Sequence, residues 1–233
     1  MPAPVWESTL EGFRYAAASD ESVPAGVAVS AVSASFALGL LAKVFTLAGR
    51  RKDFAGNLST LEKLGEAART GSRRMLEFAE EDMAAFSAYM TSARLPQATD
   101  RERKERKRAM DSAVRKAIEI PLAAARAAAD GIGFCDDAKG MVHALVAADL
   151  GAAASLLAAA LRVFLLCADS NLRQLAPDAS VFRSAMAGRA RWESKAVRRA
   201  EVVAKRAAAA IDAATTQQTK QAQAGARRSK RGR

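Results

Sequence analysis

Three acids stand together at Glu80-Glu81-Asp82, between Phe78 and Phe86. On a helix at least one of them must lie near the apolar side. A carboxylate beside apolar surface is disfavoured as an anion, so its pKa rises and it becomes a usable acid or base. A solvated acidic patch satisfies the same pattern. Three cations follow a glycine at Gly49-Arg50-Arg51-Lys52. Such a corner holds carboxylates or phosphates, or else neutralises the end of the preceding helix.

Two further stretches could meet a ligand through backbone. Val23-Pro24-Ala25-Gly26-Val27-Ala28 reads as a helix start made of small residues. Its free N–H groups would accept an anion or a polar ring edge, and its small side chains would equally serve close packing. The stretch from Gly131 to Gly140 is rich in turn residues, and Asp136 or Asp137 there either caps the next helix or faces a ligand. His143 is the only histidine, and we read it as a buried, hydrogen-bonded structural residue. No acid, cysteine or second histidine stands at ligand spacing from it, so no metal is expected. Phosphate-binding glycine loops, the dinucleotide fingerprint and the nucleophile elbow are all missing from the sequence.

The elements that position these groups read as helices throughout. Half of the 233 residues are hydrophobic, alanine dominates that half, and aromatics are only 6%. Alanine loses no side-chain entropy on joining a helix. Six helices are expected: about Val5 to Ala18, Pro24 to Leu47, Asp53 to Ala93, one capped by Thr99 with Glu102 and interrupted at Pro121, about Ala138 to Ala176, and one restarted by Pro177-Asp178 to about Thr216. The charge run Arg101 to Arg108 reads as a solvated face. Helices this long need partners, so the fold class is all-α: an antiparallel bundle, dimeric through its apolar second and fifth helices. Residues 1–216 form one domain. Residues 217–233 form a disordered basic tail, which carries six of the cations behind the net charge of +11.

Val27 to Leu47 and Met141 to Cys167 are long enough to span a bilayer, but Lys43 in the first and His143, Asp149 and Arg162 in the second favour buried core helices. The N-terminus lacks the pattern of a signal peptide, and two cysteines build no disulfide framework. A reduced, cytoplasmic setting without membrane contact is expected. Nucleic acid would be met only weakly, through the tail.

These spots occur in the order found in the cyclodeaminase/cyclohydrolase family of one-carbon folate enzymes. Asp82-Met83-Ala84-Ala85-Phe86 followed by Leu95-Pro96-Gln97-Ala98-Thr99 resembles that family's Asp-Ala-x-Ala-Phe and Leu-Pro-Lys-x-Thr segments. Ile120-Pro121-Leu122 is similar to its Val-Pro-Leu, and Gly49 to Lys52 to its Gly-Lys-Lys-Lys corner. The glycine-rich start has only Gly26 of three glycines here, and Lys139 stands where the Ser-Asp-x-Gly loop would end. The resemblance implies a tetrahydrofolate derivative as substrate, without a metal. It implies Asp82 as general acid/base with Glu80 assisting, Arg50, Arg51 and Lys52 on the glutamate tail, and Asp137 and the Gly26 backbone on the pterin. Hydrolysis of 5,10-methenyltetrahydrofolate ranks first, ahead of a non-catalytic folate- or partner-binding relative and of formiminotetrahydrofolate deamination.

Overall fold

In the computed structural model, residues 4–173 and 180–231 are described, and among these every regular element is helical. The helices are α1 (Leu10–Ala17), α2 (Gly26–Gly49), α3 (Leu58–Ala93), α4 (Asp100–Asp137), α5 (Ala144–Leu172) and α6 (Ser180–Arg231). Short 3-10 turns, Val5–Glu7 and Lys52–Asn57, precede α1 and α3. The all-α expectation holds, with α2 and α5 central.

Neighbouring helices run antiparallel, and small residues set how closely they approach. A Cβ on Gly49 at the end of α2 would lie 3.1 Å from Leu58 at the start of α3, and one on Gly71 would lie 3.2 Å from Leu38 at mid-helix. Beside Gly71, the Ser72 hydroxyl donates to the Ser35 carbonyl at 2.9 Å. At the other side of α2, Gly26 faces Cys167 of α5, while Lys43 pairs with Asp149 at 3.2 Å. These two contacts fix α5 antiparallel to α2. Phe45, Leu38 and Leu41 of α2 and Phe164 and Leu157 of α5 are fully buried in the core, each worth roughly 1.5–3 kcal/mol of transfer energy. Both helices are long and apolar enough to cross a membrane; here their apolar residues form the bundle core.

The turn into α4 is built by polar chemistry. Thr99 Oγ1 accepts from the Glu102 N–H at 3.2 Å, and Glu102 accepts from the Thr99 N–H at 2.8 Å, completing a capping box. Within the charge run, Arg101 and Lys107 make exposed ion pairs along their own helix. Arg103 and Arg106 do more: they donate to the carbonyls of Ala98 (2.8 Å) and Ala93 (3.0 Å), covering acceptors left open past the end of α3.

The structure differs from the sequence reading at several boundaries. Thr9 accepts from the Gly12 N–H and splits the first segment into a 3-10 turn and a short helix. Pro121 does not interrupt α4. It removes the N–H that the Ala117 carbonyl would accept four residues back, and Asn171 Nδ2 supplies that donor instead at 2.7 Å. The expected loop from 130 to 140 is helical through Asp137. Gly131 is there for packing: a Cβ would sit 2.8 Å from Leu38 and 3.0 Å from Leu157. The chain turns only at Gly140, whose φ is +81°. His143 then caps α5, its Nδ1 accepting from the Leu145 N–H at 3.2 Å, so neither Asp136 nor Asp137 is the cap. Pro177 and Asp178 lie outside the described residues. Beyond Ala207 the sixth helix leaves the core yet continues to Arg231, where a disordered segment was expected. Its Ala, Gln, Lys and Arg residues are good helix formers even without an apolar face.

Candidate functional site

The N-terminus of α2 opens into a cleft of about 250 Å³, closed by α3, α4 and the last turns of α5. Its start is uncapped: Ala25 makes no side-chain hydrogen bond to the first turn, so the leading N–H groups are free to meet a ligand. Gly26 is needed for close approach, since a Cβ there would lie 3.2 Å from Cys167 Sγ and 3.7 Å from Val163. Val27, Phe86, Tyr89, Val114 and Ala117 supply apolar walls.

Asp82 is the one acid lining this cleft among the described residues. No hydrogen bond or ion pair to its carboxylate is found among them. Burial alone therefore pushes its carboxyl up to about 6. Cys167 shares the cleft, and its thiol is also raised, first by burial and then by the negative charge of Asp82. A raised thiol is a poor nucleophile at neutral pH. Cys135, elsewhere in the core, donates to the Gly131 carbonyl at 3.4 Å, and burial pushes its thiol up to about 12.

Of the residues picked from sequence, the fold brings Asp82 and Gly26 together. Glu80 turns the other way, as residues two apart on a helix must, and accepts a hydrogen bond from the Val5 N–H of the N-terminal turn. Arg50, Arg51 and Lys52 follow the far end of α2, about 36 Å along the helix axis from Gly26. Arg51 pairs with Asp53 at 2.9 Å, and Arg50 lines a separate open groove with Arg69 and Arg73. Asp137 is exposed on α4, about 30 Å along that helix from Ala117 of the cleft. Within one protomer, therefore, only Asp82 and Gly26 of the predicted site residues share the cleft.

Sequence reasoning missed Asn171, Cys167 and Tyr89 of the cleft. A signal existed for the first two. Cys167 and Asn171 are spaced i, i+4 on a largely apolar helix, so they share one face.

Comparison with known proteins gives a consistent relationship. The family model described as formiminotransferase-cyclodeaminase matches residues 9–191. A methenyltetrahydrofolate cyclohydrolase from Methylorubrum extorquens is 27% identical over 161 residues, covering 67% of this chain and 77% of that protein. The mouse formimidoyltransferase-cyclodeaminase is 27% identical over 116 residues, which is 50% of this chain but only 21% of the mouse protein. Among solved structures, the formiminotetrahydrofolate cyclodeaminase of Thermotoga maritima superposes with a TM-score of 0.75 over 91% of this chain and 99% of that one, at 18% identity. That likeness establishes the shared fold, and the extent of the family match establishes the kinship: this chain belongs to the formiminotransferase-cyclodeaminase family.

Proposed function

We propose that this protein hydrolyses 5,10-methenyltetrahydrofolate to 10-formyltetrahydrofolate, with Asp82 as general base and then general acid. The observation that carries the reading is a carboxylate, single and without a cationic partner among the described residues, raised to about 6 in an apolar cleft beside a helix N-terminus. The relatives supply the ligand class, since the Methylorubrum protein is a methenyltetrahydrofolate cyclohydrolase. The bridging amidinium carbon of this substrate is an electrophilic cation. Asp82 takes a proton from water as the water oxygen bonds to that carbon. The same proton then goes to N5 as the carbon–N5 bond breaks and the hydroxyl proton leaves to solvent. The formyl group stays on N10, and one proton is released overall. An anion held near the amidinium also stabilises its charge without a metal.

The distant basic corner enters through a second copy. Val29 and Phe36 on α2, with Leu166 on α5, form exposed apolar surface; Phe36 is 59% exposed and Leu166 68%. A two-fold dimer laid antiparallel along α2 covers this face and carries the second copy's corner to the cleft mouth, where its three cations would take the glutamate carboxylates.

Loss of the methenyl chromophore on adding protein tests the activity. Asp82→Asn should lower turnover by about 10²–10⁴-fold, the usual contribution of a positioned general base. Turnover no faster than buffer, or a fully active variant, would reject the assignment. Folate binding without turnover would mark a non-catalytic relative, and ammonia release from the formimino substrate would mark the deaminase.

A further inference from the structure

Pro121 is the observation from which a new role follows. Inside α4 it removes one backbone donor and leaves the Ala117 carbonyl without its helical partner. Ala117 is half-buried, so a carbonyl in that state is destabilising unless something donates to it. Asn171 does so, with Nδ2 at 2.7 Å. A carbonyl oxygen can only accept, so this bond fixes which end of the Asn171 amide points where. The NH2 end is held on α4, and the Oδ1 end is left over. Asn171 itself lines the cleft that contains Asp82. Oδ1 takes no hydrogen bond from the described residues and is not among their buried unsatisfied atoms, so it is open to a ligand. The next residue, Leu172, is buried in a small apolar cluster with Val114 and Ile118 and holds this turn of α5 against α4.

We infer that Asn171 is a substrate-orienting residue whose Oδ1 accepts an N–H of the bound pterin ring, its direction set by the carbonyl that Pro121 strands. The inference rests on the folate reading above. It fits the chemistry of the cleft: free N–H groups of the α2 start on one wall, a fixed acceptor on another, and Asp82 beside both. A reduced pterin carries acceptors and N–H donors in a fixed order around its rim, so this arrangement selects one orientation of the ring. A freely rotating asparagine would accept either orientation. The proline and the asparagine thus act as one device, the first creating the demand that orients the second.

Calorimetry with 5-formyltetrahydrofolate as probe, alongside thermal melting, tests this in four proteins. Wild type should bind. Asn171→Ala should bind about 10- to 100-fold more weakly and melt lower, because it loses an acceptor for the ligand and strands a carbonyl. Adding Pro121→Ala to it restores a backbone N–H at position 121 for the Ala117 carbonyl, so melting should recover while affinity stays low. Pro121→Ala alone should keep or raise the melting temperature and still weaken binding several-fold, because the amide is released to rotate. A double variant that binds as tightly as wild type overturns the inference and leaves Asn171 a carbonyl cap. If the double variant does not fold, undiminished affinity of Pro121→Ala overturns it equally. Wild-type protein that fails to bind the probe overturns the folate reading instead, and this inference with it.

Discussion

The two ends of α2 differ as much as one helix allows. At Gly26 the helix start is uncapped and faces a thiol and a carboxylate that is unpaired among the described residues, in an apolar cleft. At Gly49 the same helix runs into three cations that lie in or near solvent, one of them already paired with Asp53. Charge matters differently at each. In the cleft, low polarity amplifies one carboxylate into a shifted acid. In the corner, water and salt screen three cations over a Debye length of about 8 Å, far less than the length of the helix. The cleft end therefore carries a desolvated carboxylate that stability alone would remove, and the corner end carries charge that stability hardly notices.

The largest expected effect that sharpens this contrast comes from titrating Asp82. Its folded-state value of about 6 lies above the unfolded value near 4. The folded protein therefore holds the proton more tightly than the unfolded chain between those values. Its contribution to stability is present in full below about pH 4 and is lost as pH rises through 6. Asp82→Asn keeps the shape and never ionises. The variant should match wild type near pH 4 and exceed it by up to roughly 2–3 kcal/mol at pH 8, measured by urea unfolding at several pH values. Wild-type turnover should rise with pH up to about 6 and then level, since the base must be deprotonated. An Asp82→Asn protein less stable than wild type at pH 8 would mean that the carboxylate has a favourable partner, and the contrast would collapse.

Gly26 gives the next effect. Gly26→Ala places a methyl 3.2 Å from Cys167 Sγ, tighter than ordinary contact, at the mouth where a flat ring must enter. The same change reduces the freedom of the unfolded chain, which favours the fold by about 0.4–1 kcal/mol. Binding and stability should move in opposite directions: KM rises about 5- to 10-fold, roughly 1 kcal/mol, while the melting temperature holds or rises. Cys167→Ala in the same protein should recover most of the affinity by vacating that space. Affinity unchanged by Gly26→Ala would show that the ligand enters elsewhere.

How much of this was legible beforehand follows from range. The helices and the capping box at Thr99 were readable because their causes lie within a few residues. One of the acids Glu80, Glu81 and Asp82 was readable as a candidate because Phe78 and Phe86 flank them at helical spacing, and the family resemblance singled out Asp82. Glycines misled where their reason was a neighbour distant in sequence: Gly131 reads as a turn and is a contact point with Leu38 and Leu157. Pro121 misled in the same way, since its compensation by Asn171 lies 54 positions from Ala117. Arg103 and Arg106 were hidden inside a run that reads as solvated, although they hold the α3–α4 turn. Within one protomer the predicted site residues lie apart for a geometric reason. Adjacent motifs on a long antiparallel helix end up at opposite poles, a fact that composition and local spacing do not carry.

The smallest effect concerns the corner. Replacing Arg50, Arg51 and Lys52 together by glutamine should change stability by no more than about 0.5 kcal/mol, the range for surface substitutions away from packed features. The Arg51–Asp53 pair adds little, because Arg51 is 39% and Asp53 64% exposed. The midpoint of the pH–rate profile should stay near 6, since within a protomer these charges lie about 36 Å along α2 from the Gly26 end that Asp82 shares. Affinity is where the corner should register. If a second copy brings these cations to the cleft mouth, removing them weakens folate binding several-fold at low salt and flattens its dependence on ionic strength. The loss should be greater for a ligand with several glutamates than for one. Affinity and salt dependence identical to wild type would leave the corner a solvated helix end. A shifted midpoint would be the more instructive failure, because it would place the cations within a few ångströms of Asp82, closer than a contact with the outlying glutamate carboxylates requires.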